Sequence, residues 1–176
     1  MMTHKAFLFD YARFDMELRS PLESSLSSDN CANVIAFIKR NLDALSDPYE
    51  GEPLDGDWES MIETKDAHQY GDFALTKYYA PTDDIGLGAA WAEVQELVET
   101  HNSELTSPIL GNVVGSWDAP FDPGKMGSYF QGESDVVESH RRLLDLNENT
   151  SCDAIHAALA MLDRAISTRK GLYVTF

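Results

Sequence analysis

The two most strand-like segments sit at opposite ends of this 176-residue chain, and that separation constrains the fold more than any other feature. Near the start, Ala6-Phe7-Leu8-Phe9 is compact, aromatic and closed by Asp10, the pattern of a buried strand. Residues 172–176 are rich in β-formers and read as a second strand. Two strands are marginal by themselves and need helices to cover them. The ends are therefore expected to meet in a small sheet, with the intervening chain supplying its cover.

That intervening chain reads mainly as helix. Between Asn30 and Leu45, the residues Val34, Ile35, Ile38, Leu42 and Leu45 recur at helical spacing, with Ser28 or Asp29 as cap and Asp47-Pro48 as terminator. Leu54, Trp58 and Ile62 mark a short helix, and the aromatics Tyr70, Phe73, Tyr78 and Tyr79 mark another that Pro81 closes. Leu87, Trp91, Val94, Leu97 and Val98 form the next stripe, which Gly86 and Gly88 are expected to open. Ser134 starts a helix bearing Val136, Val137, Leu143 and Leu144. Ser151 caps a last one bearing Ile155, Ala158, Leu159, Leu162 and Ile166, with Gly171 as its C′ residue. Residues 13–28 are serine-rich and read as loop or short helix; residues 109–110 and 113–114 read as short strands or buried loop.

The expectation is a single globular domain over residues 1–176, α+β and mainly helical, with a small sheet including the N- and C-terminal strands covered by five or more helices. A chain of this length buries roughly 70% of its unfolded surface, so its core needs neither disulfide nor metal.

Charge limits the partners. Thirteen Lys and Arg against thirty Asp and Glu give a net charge of −17. Such a field repels phosphate backbones and anionic head groups, so nucleic acid and membrane are not expected as partners; the acidity either keeps the chain soluble or meets a basic protein partner. No stretch approaches the length of a membrane span, and a cytoplasmic location follows by elimination. Cys31 and Cys152 form no metal or redox motif; each lies near a helix start, where a thiol can be activated, although a buried structural role is the commoner one.

Signatures of strong chemistry are missing. The sequence contains no phosphate-binding loop with its lysine, no paired-histidine zinc helix and no serine elbow. The acidic run Asp47, Glu50, Glu52, Asp55, Asp57 and Glu59 lacks the spacing of a calcium loop and reads as solvated. No cofactor and no metal are expected. The most distinctive segment covers residues 116–130, where turn formers and aromatics surround Asp122, Lys125 and Tyr129. In an enzyme, Asp122 would be the acid or base, Lys125 an anion contact and Tyr129 a hydrogen-bond donor, with His101 or His140 approaching from a helix.

Three patches resemble the YfbM-like family of small bacterial proteins of unknown function. They are Leu54-Asp55-Gly56-Asp57-Trp58 with Met61-Ile62, then Ser107-Pro108-Ile109-Leu110-Gly111, then residues 122–130 leading into Ser134-Asp135-Val136-Val137. The resemblance implies a bacterial α+β domain and carries over no catalytic residue. This chain differs in having two additional helices between Ile62 and Ser107.

Two functional expectations follow. The first is an acidic cytoplasmic binding or regulatory protein, either neutralising a partner as toxin-immunity proteins do or serving as a complex subunit. The alternative is a small-molecule enzyme with a pocket near the 117–130 loop.

Overall fold

The computed structural model describes residues 1–102 and 105–176. The chain enters as strand β1 (Lys5–Phe9). The Asp10 side chain caps α1 (Tyr11–Glu17) by accepting from the Arg13 N–H, and α2 (Arg19–Ser28) and α3 (Ala32–Arg40) follow. One 3-10 turn at Leu42–Ala44 and another at Trp58–Met61 bracket the acid-rich loop before α4 (Ala67–Leu75). Next come α5 (Trp91–Asn102) and a ribbon of β2 (Gly115–Ser116) and β3 (Ala119–Pro120). The chain finishes with β4 (Ser128–Gln131), α6 (Glu133–Asn149), α7 (Asp153–Thr168) and β5 (Gly171–Thr175).

Strand β5 is central in a three-stranded antiparallel sheet of order β1-β5-β4. Phe7 lies opposite Tyr173 on one side, and Phe130 lies opposite Tyr173 on the other. The terminal strands therefore meet as expected, with seven helices around them among the described residues.

The two-residue period of a strand then divides the core. Phe7, Phe9, Phe130 and Tyr173 project to one face and pack with Phe14, Leu22, Ile38 and Phe73 from α1, α2, α3 and α4. Ala6, Leu172 and Val174 project to the other and pack with Val98, Leu143, Ile155 and Leu162 from α5, α6 and α7. One sheet thus separates two apolar cores. Burial on both faces is why β1 and β5 read as near-continuous apolar runs instead of alternating ones. The aromatic face is held by ring contacts: Phe130 stacks on Tyr173 at 4.9 Å and on Phe14 at 5.5 Å.

Both sheet edges are occupied. Beyond β1, the Ile85 N–H donates to the Ala6 carbonyl and the Gly88 N–H to the His4 carbonyl. The approach is so close that a Cβ on Gly86 would lie 2.4 Å from the His4 oxygen. Beyond β4, Asn112 and Phe130 exchange both backbone bonds, at 2.9 and 2.7 Å. Each edge of this sheet thus has backbone partners at these positions.

Several local expectations are corrected, and two that left alternatives open, residues 13–28 and residues 109–114, are decided. Gly86 and Gly88 do not open α5; they run along β1, and the helix starts at Trp91. Residues 13–28 belong to two helices, because Phe14, Leu18 and Leu22 turn toward the core. Asp29 ends α2 in the left-handed conformation, φ 57°, and so does not cap α3, which begins after Cys31. Cys152 rather than Ser151 occupies the cap of α7, while the Ser151 hydroxyl meets His156 Nε2 at 3.0 Å. Gly171 opens β5 instead of terminating α7; Arg169 takes the left-handed helix end. Residues 109–110 and 113–114 are loop, tied to the sheet through the bridge at Asn112.

Candidate functional site

Helix α4 is buried along most of its length, with Tyr70, Gly71, Phe73, Ala74 and Leu75 all enclosed. A helix covered all round must bury whatever polar residue it carries. The one carboxylate within α4 is Asp72, and it is only 7% exposed. It opens into a cavity of about 250 Å³. The strands supply Phe7 and Tyr173 to the wall, the segment after α4 supplies Tyr79, and the 117–130 loop supplies Pro123 and Gly124. Lys5 and Asp84 stand at its exposed rim.

Tyr49, largely exposed, also lines the cavity. It rides on a tight turn in which the Asp47 N–H donates to the Glu52 carbonyl and the Gly51 N–H to the Asp47 carbonyl, both at 2.8 Å. The Asp47 carboxylate accepts from the Tyr49 N–H at 2.9 Å and is itself buried. The acidic run is therefore not uniformly solvated. Asp47 organises the turn, whereas Glu50, Glu52, Asp55, Asp57 and Glu59 are exposed.

Burial pushes the Asp72 carboxyl up to about 7, the neighbouring Asp47 charge pushes the same way, and hydrogen bonding from Tyr49 opposes both. Among the described residues no cation acts on it. Burial also holds the Tyr79 and Tyr173 phenols well above their ordinary range, so both keep their protons at neutral pH. The cavity thus joins a carboxyl poised between its two protonation states to phenols that donate and accept hydrogen bonds.

A second cavity of about 280 Å³ adjoins the first and shares Tyr49 and Pro123 with it. His68, Asp122 and Lys125 line it. The Asp122 N–H donates to His68 Nδ1 at 3.0 Å, which places the proton of the neutral ring on Nε2, and the imidazole stacks on Phe121. The Asp122 carboxylate is engaged in holding its own loop, accepting from the Gly127 N–H at 3.0 Å.

Of the five residues singled out from sequence, Asp122 and Lys125 share this second cavity, and the other three lie elsewhere. Tyr129 packs toward the opposite core and lines a separate hollow with Trp117. His101 ends α5, its Nδ1 2.8 Å from the Leu97 carbonyl. His140 pairs with Asp163 at 2.8 Å, linking α6 to α7. The triad of Asp122, Lys125 and Tyr129 around one point is therefore corrected: strand alternation in β4 turns Tyr129 away.

Cys31 is partly buried, and burial raises its thiol pKa, which removes the activation its position suggested. Cys152 is also partly buried. Among the described residues no three metal-ligating side chains gather. In sequence, Asp72, Tyr49, Tyr79 and Tyr173 carry no catalytic or binding motif. A signal for Asp72 was present: a lone acid set in the apolar run Tyr70-Gly71-Asp72-Phe73-Ala74-Leu75.

No family model matches the sequence, and no curated protein or solved structure matches it either. No helix of the described residues is long and apolar enough to cross a membrane.

Proposed function

We propose that this chain binds a small organic molecule in the Asp72 cavity, with Asp72 as the group that anchors it or exchanges a proton with it. One observation carries the reading: a buried carboxyl on which no cation acts among the described residues opens into an aromatic-walled hollow. Burying an uncompensated acid costs stability, and such costs concentrate where a ligand or a proton transfer uses them. The 117–130 loop contributes to this hollow, which favours the small-molecule alternative drawn from the sequence.

A thermal-shift screen of metabolite-sized compounds at pH 7, run in parallel on the wild type and Asp72→Asn, tests the reading. A ligand of the cavity raises the melting temperature of the wild type and raises that of the variant less. A screen whose hits shift both proteins equally, or one with no hits, counts against it.

Charge supports a second reading, in which a basic protein docks on the acid-rich arc. Residues 43–66 hold nine Asp and Glu and one Lys, close to half of the net charge of −17. Association with such a partner would weaken steeply as salt rises; a salt-independent complex would refute this reading. A bacterial, YfbM-like origin rests on the three sequence patches alone.

A further inference from the structure

The geometry points to a small organic ammonium ion as the occupant of the Asp72 cavity, seated between the Asp72 carboxylate and the rings of Phe7, Tyr79 and Tyr173. The inference rests on that cavity being a small-molecule site and adds the charge and shape of what fills it.

Among the described residues no cation acts on Asp72, which is buried with Asp47 as its charged neighbour. A ligand that brings its own positive charge removes the repulsion and supplies N–H donors to an acceptor with spare lone pairs. An anionic ligand would add a further negative charge beside Asp72, which Asp47 already repels, and a neutral one would leave the desolvation cost standing.

The wall supplies the second half. Phe7 and Tyr79 pack at 5.0 Å, Tyr79 and Tyr173 at 5.2 Å, and Phe7 and Tyr173 at 6.2 Å, so the three rings form one continuous aromatic surface. All three line the cavity that Asp72 enters. Ring faces attract an ammonium group, and the attraction grows where water is excluded. Tyr49, itself largely exposed, adds a further ring to the lining. Lys5 stands exposed at the rim beside Asp84, and its charge is not among those that act on Asp72. The occupant is therefore compact, monovalent at its buried end and apolar enough to lie along three rings within about 250 Å³.

Isothermal titration at 0.15 M salt with three probes of one shape tests this: phenethylammonium, phenethyl alcohol and phenylacetate. The salt suppresses diffuse attraction to the acidic surface. The ammonium probe is expected to bind about tenfold more tightly than the alcohol, and the acetate least. Asp72→Asn should weaken the ammonium about tenfold while changing the alcohol little. Tyr79→Leu, which keeps the carboxylate and removes a ring, should weaken it as well. Circular dichroism of each variant separates lost binding from lost fold. If the alcohol binds as tightly as the ammonium, the cationic ligand is refuted while the small-molecule site stands. If the ammonium binds equally well to Asp72→Asn, it sits elsewhere on the acidic surface and the inference falls. If none of the three binds, the cavity reading falls with it.

Discussion

Replacing Asp72 with Asn removes a proton-binding site from the core and should flatten the dependence of stability on pH. The Asp72 carboxyl has an ordinary value of 3.8 and titrates at about 7 in the fold. Its folded pKa is raised, so the folded state holds the proton more tightly than the unfolded chain does. The resulting stability is full below pH 4 and is lost as pH rises toward and through 7. A displacement of roughly 3 units at 1.36 kcal/mol each corresponds to about 4 kcal/mol over the whole window. Between pH 5 and pH 8 the same relation gives about 3 kcal/mol, because part of the loss has already occurred below pH 5. Asn has nearly the same shape, keeps an acceptor for Tyr49 and cannot ionise. Wild type should therefore lose about 3 kcal/mol relative to Asp72→Asn from pH 5 to pH 8. Urea unfolding at pH 5, 6, 7 and 8 reads this through the fluorescence of Trp58, a buried residue in the aromatic core. The other titrating groups are common to both proteins and cancel in the difference. Parallel stability curves would refute the claim that Asp72 is desolvated and unpaired.

Two further substitutions probe the scaffold around the site. His4 is buried, with Nε2 2.8 Å from the Ile109 carbonyl and Nδ1 accepting from the Leu87 N–H at 3.1 Å, so both nitrogens are used in the neutral ring. Burial lowers its pKa below 6.5; the unfolded chain binds the proton first, and its stability contribution is full above pH 6.5 and declines as pH falls. His4→Ala should cost about 2 kcal/mol at pH 8 through the two groups it orphans and should weaken the acid dependence below pH 6.5; an unchanged acid limb would refute the assignment. Gly86→Ala should cost about 2 kcal/mol or more, since its Cβ would meet the His4 carbonyl at 2.4 Å and push residues 84–88 off the edge of β1; urea unfolding equal to wild type would show that this edge yields freely.

The comparison of sequence with structure divides along range of interaction. Helices carrying long apolar stripes, such as α6 and α7, were legible because a 3.6-residue repeat is written in consecutive residues. Their ends were not. Gly171 looked like a helix terminator, yet its lack of a side chain serves β5, where a Cβ would lie 2.2 Å from the Gln131 carbonyl of the neighbouring strand. Gly86 misled in the same way, its smallness being required by β1 some eighty residues earlier.

For the proposed site, composition pointed to a bordering loop and not to the group itself. The 117–130 loop was singled out for its aromatics and turn residues, and it does border the Asp72 cavity. Asp72 itself was hidden inside a run read as aromatic packing. Its chemistry depends on Asp47, Tyr79 and Tyr173, which lie on other parts of the chain.

By itself the sequence determined that the chain's two ends form strands, that helices lie between them, and that the surface is acidic, because these properties belong to neighbouring residues or to simple sums of charge. Tertiary structure alone decided that Phe7 and Tyr173 share one face of the sheet while Ala6 and Val174 share the other, and that a carboxylate is stranded beneath that aromatic face. Whether an acid is a solvated ornament or a titrating group near neutrality depends on which residues displace water from it, and those are chosen by the fold.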